Sequence, residues 1–272
     1  MLILAIDTAL EACAAAVLDT DANKLIARES QAMKRGHAEA LMPLIARVMK
    51  EAGLPFAALD RIAVTTGPGS FTGLRVGLSA ARGIALAAAK PAVGVTTLSA
   101  YAAPCVGQNG EHPVISAIDA RHDLVYFQVV SADGDALIDP QVAPIDEALE
   151  ASRFGAPHLV GNAARMLAER WPTRALPPSS VDAQAAPDIA WVAWMGAAID
   201  PDTAPPRPYY LRPPDARPSQ DLRSKDVHSK NLHSKNLQGK NLHSKDLQGQ
   251  NLQDEDPRSQ DLPGQPARPA AS

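Results

Sequence analysis

Residues 65–77, TTGPGSFTGLRVG, have the composition of a loop that binds phosphate. Glycines and hydroxyl side chains stand directly before a run with helical periodicity, and an arginine follows within that run. Backbone N–H groups at the start of a helix attract anions, and glycine lets the backbone approach a ligand closely. The residues suited to contact an anion or a nucleotide are Gly67, Gly69, Ser70, Thr72 and Arg75. Taken alone, the stretch predicts a nucleotide contact.

Two further segments place an aspartate in a turn between apolar strands. Asp7 ends the run LILAID and is followed by Thr8, and Asp119 stands in the similar layout VISAIDARHDLVYFQVV. This layout looks like the phosphate hairpins of the actin-like ATPases, the class of sugar kinases, Hsp70 and actin. Those proteins have a glycine shortly after the aspartate, and neither turn of this chain has one. Their adenosine site also has a pair of glycines at the start of a helix, whereas this chain has only Gly161 there. We therefore expect the architecture of the class without a tightly bound cofactor.

Asp7, Glu11 and Asp119 are the candidate carboxylates of the chain. They form either a carboxylate group in a cleft or ordinary hairpin turns, in which an aspartate bonds a backbone N–H nearby. Ser70 does not stand in the G-x-S-x-G pattern of a serine hydrolase. The histidines of the front part are not spaced four apart, as two metal ligands on one helix would be. No catalytic residue and no metal site is predicted.

The elements that would position these residues alternate between strand and helix. Apolar runs predict strands at 2–7, 12–19, 25–30, 60–67 and 91–97. Helical periodicity predicts helices at 37–52, from Gly73 to about 90, and at 98–106. The pattern restarts with two strands at 114–130, a strand ending at 159–162, and helices at 163–171 and 188–200.

This repetition predicts an α/β protein with the two-lobed actin-like ATPase (ASKHA, RNase H-like) fold, in which mixed-sheet domains are duplicated. We expect an N-terminal lobe at 1–105, rejoined by the helix near 188–200, and a C-terminal lobe at 106–187. Residues 188–217 supply that closing helix and the extended segment PYYLRPPDA. Pentad repeats fill 218–272, and we expect a disordered tail there because lysines occupy the positions that a repeat coil would bury.

The helix that follows the loop carries small residues on two stripes. Gly73, Gly77, Ala81 and Ala85 form one stripe, and Ser79, Gly83 and Ala87 form the other. Glycine inside a helix costs about 1 kcal/mol relative to alanine, so its presence indicates a close approach by another element. That element lies either inside the chain or in a partner subunit. The helix at 37–52 favours a partner, because its apolar residues occupy two stripes and include Met42 and Met49.

Composition excludes several classes of protein. The chain has 272 residues, a formal net charge of -4 and two cysteines, which exclude a strongly basic nucleic-acid footprint and a disulfide framework. The start MLILAIDTA lacks the basic head of a signal peptide. Arg75 and Arg82 make the helix after the loop unsuited to a bilayer. We expect a cytoplasmic protein that does not contact a membrane.

At five places the sequence resembles the TsaB family of bacterial tRNA threonylcarbamoyladenosine biosynthesis proteins. The matching segments are ILAIDTA, HAEALMPLI, GPGSFTGLRVG, AIDARHDLVYFQV and PYYLRPPDA. They occur in the family's order over residues 1–216, and the third is highly specific. The resemblance does not cover the pentad repeats.

The resemblance implies a non-catalytic accessory subunit, not an enzyme in its own right. Such a subunit binds and activates TsaD, the catalytic paralogue, in the complex that forms threonylcarbamoyladenosine in tRNAs reading codons that begin with adenine. It also implies the ATPase TsaE as a third member, indirect contact with tRNA, and a homodimer when the chain is alone. ATP or ADP with magnesium would bind only at the complex interface or in the partner. The metal-binding histidine pair of TsaD-like subunits is missing from this sequence.

Members of the family pair through the two helices of the N-terminal lobe. The implied partner interface therefore consists of His37, Leu41, Met42, Ile45, Met49, Leu74, Gly77, Ser79, Ala81 and Ile84. The competing interpretation is a stand-alone ATP-dependent kinase or ATPase of the actin-like class. A further possibility is that the basic tail touches tRNA. Proteolysis, which older labels of the family suggest, has no nucleophile or metal set to support it.

Overall fold

The computed structural model describes residues 1–107 and 111–212. The predicted disordered tail at 218–272 and the end of the PYYLRPPDA segment lie outside the described residues. Within the described ranges the chain forms two five-stranded sheets with helices packed on them.

The first sheet has the strand order β3-β2-β1-β4-β5. Its strands are β1 (Leu2–Asp7), β2 (Ala12–Asp19), β3 (Lys24–Ala32), β4 (Arg61–Gly67) and β5 (Ala92–Thr96). The first three strands are antiparallel neighbours, whereas β4 runs parallel to both β1 and β5. Alternation along β1 sends Leu4 and Ile6 to one face and Ile3 and Ala5 to the other, and all four are fully buried. This sheet is therefore covered on both faces.

Helices α1 (His37–Ala52) and α2 (Phe71–Ala88) cover one face of this sheet. A left-handed Gly53 ends α1. The other face is covered by the apolar helix that follows the second sheet in the chain, Ile189–Ala198, which we call α6. Arg61 on β4 ties this helix down, because its Nη1 donates to the carbonyls of Gly196, Ala197 and Ile199.

The second sheet has the order β10-β9-β6-β7-β8. Its strands are β6 (Val114–Arg121), β7 (Leu124–Val130), β8 (Ala136–Pro144), β9 (His158–Val160) and β10 (Ser180–Asp182), with α4 (Ile145–Leu149) and α5 (Ala164–Glu169) in its own core. Helix α3 (Thr97–Ala102) joins the halves, and its Leu98 and Tyr101 pack against Val114 and Ile118 of β6.

Most predicted elements are confirmed, and the differences have local causes. The helix predicted at 98–106 is shorter in the structure, where it spans Thr97–Ala102. The sequence analysis did not predict β8, α4 or β10. β8 carries Pro140, which edge strands tolerate but which hides a strand in a sequence. β10 is only three residues long and gives no periodicity. No helix in the described ranges is long and apolar enough to cross a bilayer.

After α6 the chain returns across the first sheet as an extended segment, residues 204–212, which we call the strap. Gly94 N–H donates to Ala204 O over 2.8 Å, and Tyr209 N–H donates to Thr66 O over 2.8 Å. Arg82 of α2 donates through Nε to Pro206 O over 2.9 Å. The strap thus ties the end of the described chain to α2 and to the strand that precedes it.

Replacing Arg61 tests its anchoring of α6. We expect Arg61→Met to lower the free energy of unfolding by roughly 1.5–3 kcal/mol, because hydrogen bonds from a charged donor to half-buried carbonyls are lost. The matched control is Arg47→Met, which breaks only the exposed ion pair with Glu29 and should cost less than about 1 kcal/mol. Urea unfolding of both variants measures the difference, and equal losses would contradict the anchoring role.

Candidate functional site: the hairpin loop and the two-helix face

The loop before α2 packs directly against the turn that follows β1. Ser70 N–H donates to Ala9 O over 2.7 Å. A side chain at Gly69 would overlap the carbonyl of Ala9, and one at Gly73 would overlap the carbonyl of Thr8. These glycines are therefore required by a contact between two stretches of backbone.

The same contact continues along α2. The Thr8 hydroxyl, which is buried, donates to Gly73 O over 2.7 Å. A Cβ atom at Gly77 would lie 2.5 Å from Thr8 Oγ1, so this glycine also belongs to the packing against the hairpin. Ser70 caps the helix, since its Oγ accepts from Gly73 N–H over 3.3 Å. The amides of Ser70 and Gly73 are thus already bonded within the chain.

Asp7 ties this hairpin to the neighbouring strand. Its side chain is fully buried, and Oδ1 accepts from Thr65 Oγ1 over 2.6 Å and from Ala9 N–H over 2.9 Å. Oδ2 has no hydrogen-bond partner within the described residues. Burial raises the pKa of Asp7 above its ordinary value of 3.8, against the opposing effects of Thr65, Ala9 and the nearby His37.

The second hairpin repeats the turn in a different environment. Asp119 is exposed, and its Oδ1 accepts from Arg121 N–H over 2.7 Å, as Asp7 accepts from Ala9. Its own N–H donates to Asn162 Oδ1, and Gly161 packs against the carbonyl of Ala117. Both aspartates therefore accept a hydrogen bond from a backbone N–H within their own turn, which is one of the two alternatives that the sequence leaves open.

The remaining candidate carboxylate lies apart from these turn contacts. Glu11 is exposed and pairs with Lys34 at 3.6 Å.

Among residues 1–107 and 111–212, no group of three or more His, Cys, Asp or Glu side chains is placed to hold a metal ion. His112 and His158, which look isolated in the sequence, lie with ring centroids 5.6 Å apart, and His158 Nδ1 is 2.7 Å from Ser180 Oγ.

Most residues predicted for a partner interface lie inside the chain's own core. Those buried between α1, α2 and the first sheet are Leu41, Ile45, Met49, Leu74, Gly77, Ala81 and Ile84. His37 is also buried, with Nε2 lying 3.1 Å from Leu10 O. The packing of the fold itself accounts for the burial of these residues, and of them only Leu41 also lines the groove between α1 and α2. The first small-residue stripe therefore serves internal packing.

The other predicted interface residues, Met42 and Ser79, are exposed on a groove between α1 and α2. The groove has a volume of about 550 Å³, and its lining is mainly apolar. Thr72 and Arg75, which the sequence assigns to an anion site, line this groove instead of the hairpin contact. The predicted anion-binding residues are thus divided between two places.

The second small-residue stripe continues from the groove along the exposed side of α2. Ser79, Gly83 and Ala87 are all exposed, and a Cβ atom at Gly83 would meet nothing within 4 Å. Leu86 beside them is 84% exposed. Helical periodicity could have predicted the exposure of Leu86, because this leucine does not lie on the face of α2 that holds the buried Leu74 and Leu78.

Phe71, the first residue of α2, lies at the surface and not in the core. It is 42% exposed because the loop interior is already filled by the hairpin. Its ring lies 5.6 Å from the ring of Tyr210 in the strap, and the Arg75 Cζ atom lies 3.7 Å from its centroid. The sequence gives no local signal for the role of Tyr210, because the strap brings it to α2 from a distant part of the chain.

Comparison with known proteins finds similarity to proteins named for a modification of tRNA. A family model described as TsaD, tRNA N6-adenosine threonylcarbamoyltransferase, matches residues 24–184. The tRNA threonylcarbamoyladenosine biosynthesis protein TsaB of Escherichia coli K12 is 35% identical over 50% of this chain and 58% of its own length. The TsaB protein of Haemophilus influenzae is 36% identical over 47% and 53%. The chain thus spans little more than half the length of these relatives.

A longer match exists to an uncharacterized protein of Mycobacterium tuberculosis H37Rv, 33% identical over 79% of this chain and 93% of that protein. Among solved structures, YeaZ from Pseudomonas aeruginosa covers 77% of this chain and 99% of its own, with a TM-score of 0.62 and 28% identity. The two mixed sheets and their order define the class, an α/β protein with an actin-like (ASKHA-type) fold. The family model covers more than half of the sequence. The chain belongs to the family that this model describes, and it is similar to proteins named TsaB.

The two glycines of α2 with opposite surroundings give a paired prediction. We expect Gly77→Ala to destabilise the chain by about 1–3 kcal/mol, because the new methyl group overlaps the Thr8 hydroxyl. We expect Gly83→Ala to stabilise it by about 0.5–1 kcal/mol, because alanine is the better helix former and the site is open. Urea unfolding at low protein concentration measures both, and effects of the same sign would contradict the assignment.

Asp7 gives a prediction about pH. A carboxyl group whose pKa is raised by folding binds protons more tightly in the folded state, so stability falls as pH rises from the unfolded pKa through the folded one. In Asp7→Asn this contribution is absent. We expect the stability of the wild type relative to Asp7→Asn to decrease as pH rises from 4 toward neutrality. Urea unfolding across that range tests it, and a constant difference would show that Asp7 does not titrate in this window.

Proposed function

We propose that the chain is a non-catalytic partner subunit that binds and activates a TsaD-type catalytic subunit. Together they form threonylcarbamoyladenosine in tRNAs that read codons beginning with adenine. The proposal rests on the relatives named TsaB and on the match to the TsaD family model. The structural observation that carries it is the division of α2 into a side used by the fold and a side left exposed.

The exposed side has the properties of a surface for another helix. Met42 is 48% exposed over an apolar groove, and the stripe of Ser79, Gly83 and Ala87 leaves room for close approach. A glycine inside a helix costs about 1 kcal/mol relative to alanine, and a Cβ atom at Gly83 would meet no atom of the described residues within 4 Å. A partner helix packed there would supply that contact. When the chain is alone, a second copy would occupy the same face as a homodimer.

The hairpin supports an accessory role. In the place where actin-like ATPases bring phosphates to the backbone, Thr8 and Ala9 lie against Gly69 and Gly73, and the Ser70 amide is bonded to Ala9. We accordingly propose that the isolated chain does not bind a nucleotide tightly. ATP or ADP with magnesium would bind at the complex interface or in the partner, the ATPase TsaE would join as a third member, and tRNA would be contacted through the complex. The complex would work in the cytoplasm.

Pull-down with purified TsaD tests the interface. We expect Gly83→Gln and Met42→Asp each to weaken the complex at least about tenfold, because one fills the space for a partner helix and the other buries a charge. The matched control is Ala198→Gln, which also changes an exposed helical position but lies on the opposite side of the sheet, at the end of α6. The complex and the tRNA modification in a depletion strain should be lost together in the first two variants.

If Gly83→Gln and Met42→Asp both bind TsaD as tightly as the wild type, the interface does not include this groove. A separate outcome bears on the accessory role itself. Calorimetry of the isolated chain with ATP and magnesium, followed by a turnover assay, should show neither micromolar affinity nor hydrolysis. Turnover without a partner would contradict the proposal.

A further inference from the structure

Three side chains that are far apart in the sequence meet at one end of the second sheet. Val114 of β6 and Ser180 of β10 are both register partners of His158 in β9. His158 N–H also donates to Pro113 O over 2.8 Å, which holds the residues just before β6 beside β9. His112 therefore lies on one side of His158, and Ser180 lies on the other.

The two imidazole rings lie at a distance suited to a shared metal ion. Their centroids are 5.6 Å apart, and the angle between their planes is 86°. A tetrahedral zinc ion with Zn–N bonds of about 2.0–2.1 Å holds the centroids of two histidine rings about 5–6 Å apart. His112 is exposed, so its ring is free to turn and present a nitrogen to the ion. The observed spacing thus requires no movement of the backbone.

The hydroxyl of Ser180 orients one of the rings. His158 Nδ1 lies 2.7 Å from Ser180 Oγ, so Nε2 is the nitrogen left for a metal ion. A histidine that binds a metal usually has its other ring nitrogen bonded to an oxygen, which fixes the tautomer and the direction of the lone pair. Burial, together with the neighbouring His112, holds the pKa of His158 below its ordinary value of 6.5. The neutral ring, which is the form that coordinates a metal, is therefore favoured at pH 7.

We propose that His112 and His158 form a binding site for a divalent transition-metal ion of the zinc type, with Ser180 as a positioning residue. Imidazole suits zinc, copper and nickel, whereas magnesium and calcium take oxygen ligands. Within residues 1–107 and 111–212 no set of three His, Cys, Asp or Glu side chains is placed to hold a metal, so water would complete the coordination. A bound ion would tie the connection before β6 to β9.

Titration calorimetry of the full chain with Zn²⁺ tests the site. We expect His112→Gln and His158→Gln each to raise the dissociation constant for one Zn²⁺ at least about tenfold, because losing a ligand costs no less than losing its outer partner. The matched control is His122→Gln, which removes an exposed histidine from the turn between β6 and β7 and should leave binding unchanged. The histidines of the pentad repeats are present in every variant, so they do not contribute to these differences.

Ser180 allows the orienting hydroxyl to be tested separately from the ligands. Ser180→Thr keeps a hydroxyl and should bind Zn²⁺ as the wild type does. Ser180→Val has the same shape as threonine without the hydroxyl, and we expect it to weaken binding about three- to tenfold. Equal affinities in these two variants would exclude Ser180 as a positioning residue, because a merely structural effect on β10 would be shared by both.

Thermal unfolding shows whether the ion binds the folded chain at this place. A site built from two distant segments exists only in the folded state, so Zn²⁺ should raise the Tm of the wild type and of His122→Gln. His112→Gln and His158→Gln should show no such rise. A wild type without saturable Zn²⁺ binding, or histidine variants that bind Zn²⁺ as the wild type does, would overturn the inference. None of these outcomes bears on the binding of TsaD, so the proposed function is tested independently.

Discussion

The backbone of Thr8 and Ala9 lies against the first turns of α2 at a separation that only glycine allows at Gly69 and Gly73. This contact fixes the rest of the N-terminal half. It sets the position of α2 on the sheet, and the buried Thr8 hydroxyl bonded to Gly73 O sets its rotation. Asp7 then holds the hairpin to β4 through Thr65. A helix placed in this way has one side committed to the sheet and the other side turned outward.

The packing of α2 against the hairpin also determines which residues lie on its exposed side. Because the hairpin fills the inside of the loop, the Phe71 ring is left on the surface, where it meets Tyr210 and Arg75. The strap reaches this place because Arg82 and the backbone of Thr66 hold it across α2 and β4. A loop that looks like a phosphate cradle therefore shapes the exposed side of α2 instead. The glycines remove space for a ligand by letting another piece of backbone occupy it.

The sequence predicts the fold well and the site only in part, and the reason is physical. Periodicity is a local property, so the main strands and helices can be read from it, whereas the three-residue β10 and the proline-containing β8 give no period to detect. Glycine spacing in α2 predicts a close approach but does not identify the neighbour. That neighbour is Thr8, which lies far away in the chain, and no pattern within α2 distinguishes it from a partner subunit. The exposure of Phe71 and the role of Tyr210 depend in the same way on contacts between distant segments.

The two hairpins show why a repeated sequence pattern need not mean a repeated function. Asp7 and Asp119 make the same bond to the backbone N–H two residues on, so the turn explains why an aspartate stands at both places. Only the first is buried, and there the bond to Thr65 and the unpartnered Oδ2 make the carboxyl group part of the core. The second remains on the surface next to Asn162. The pattern thus records the architecture of the class, while the surroundings of each aspartate decide what it does. In the first half those surroundings hold α2 in place, which leaves the groove between α1 and α2 open at the surface.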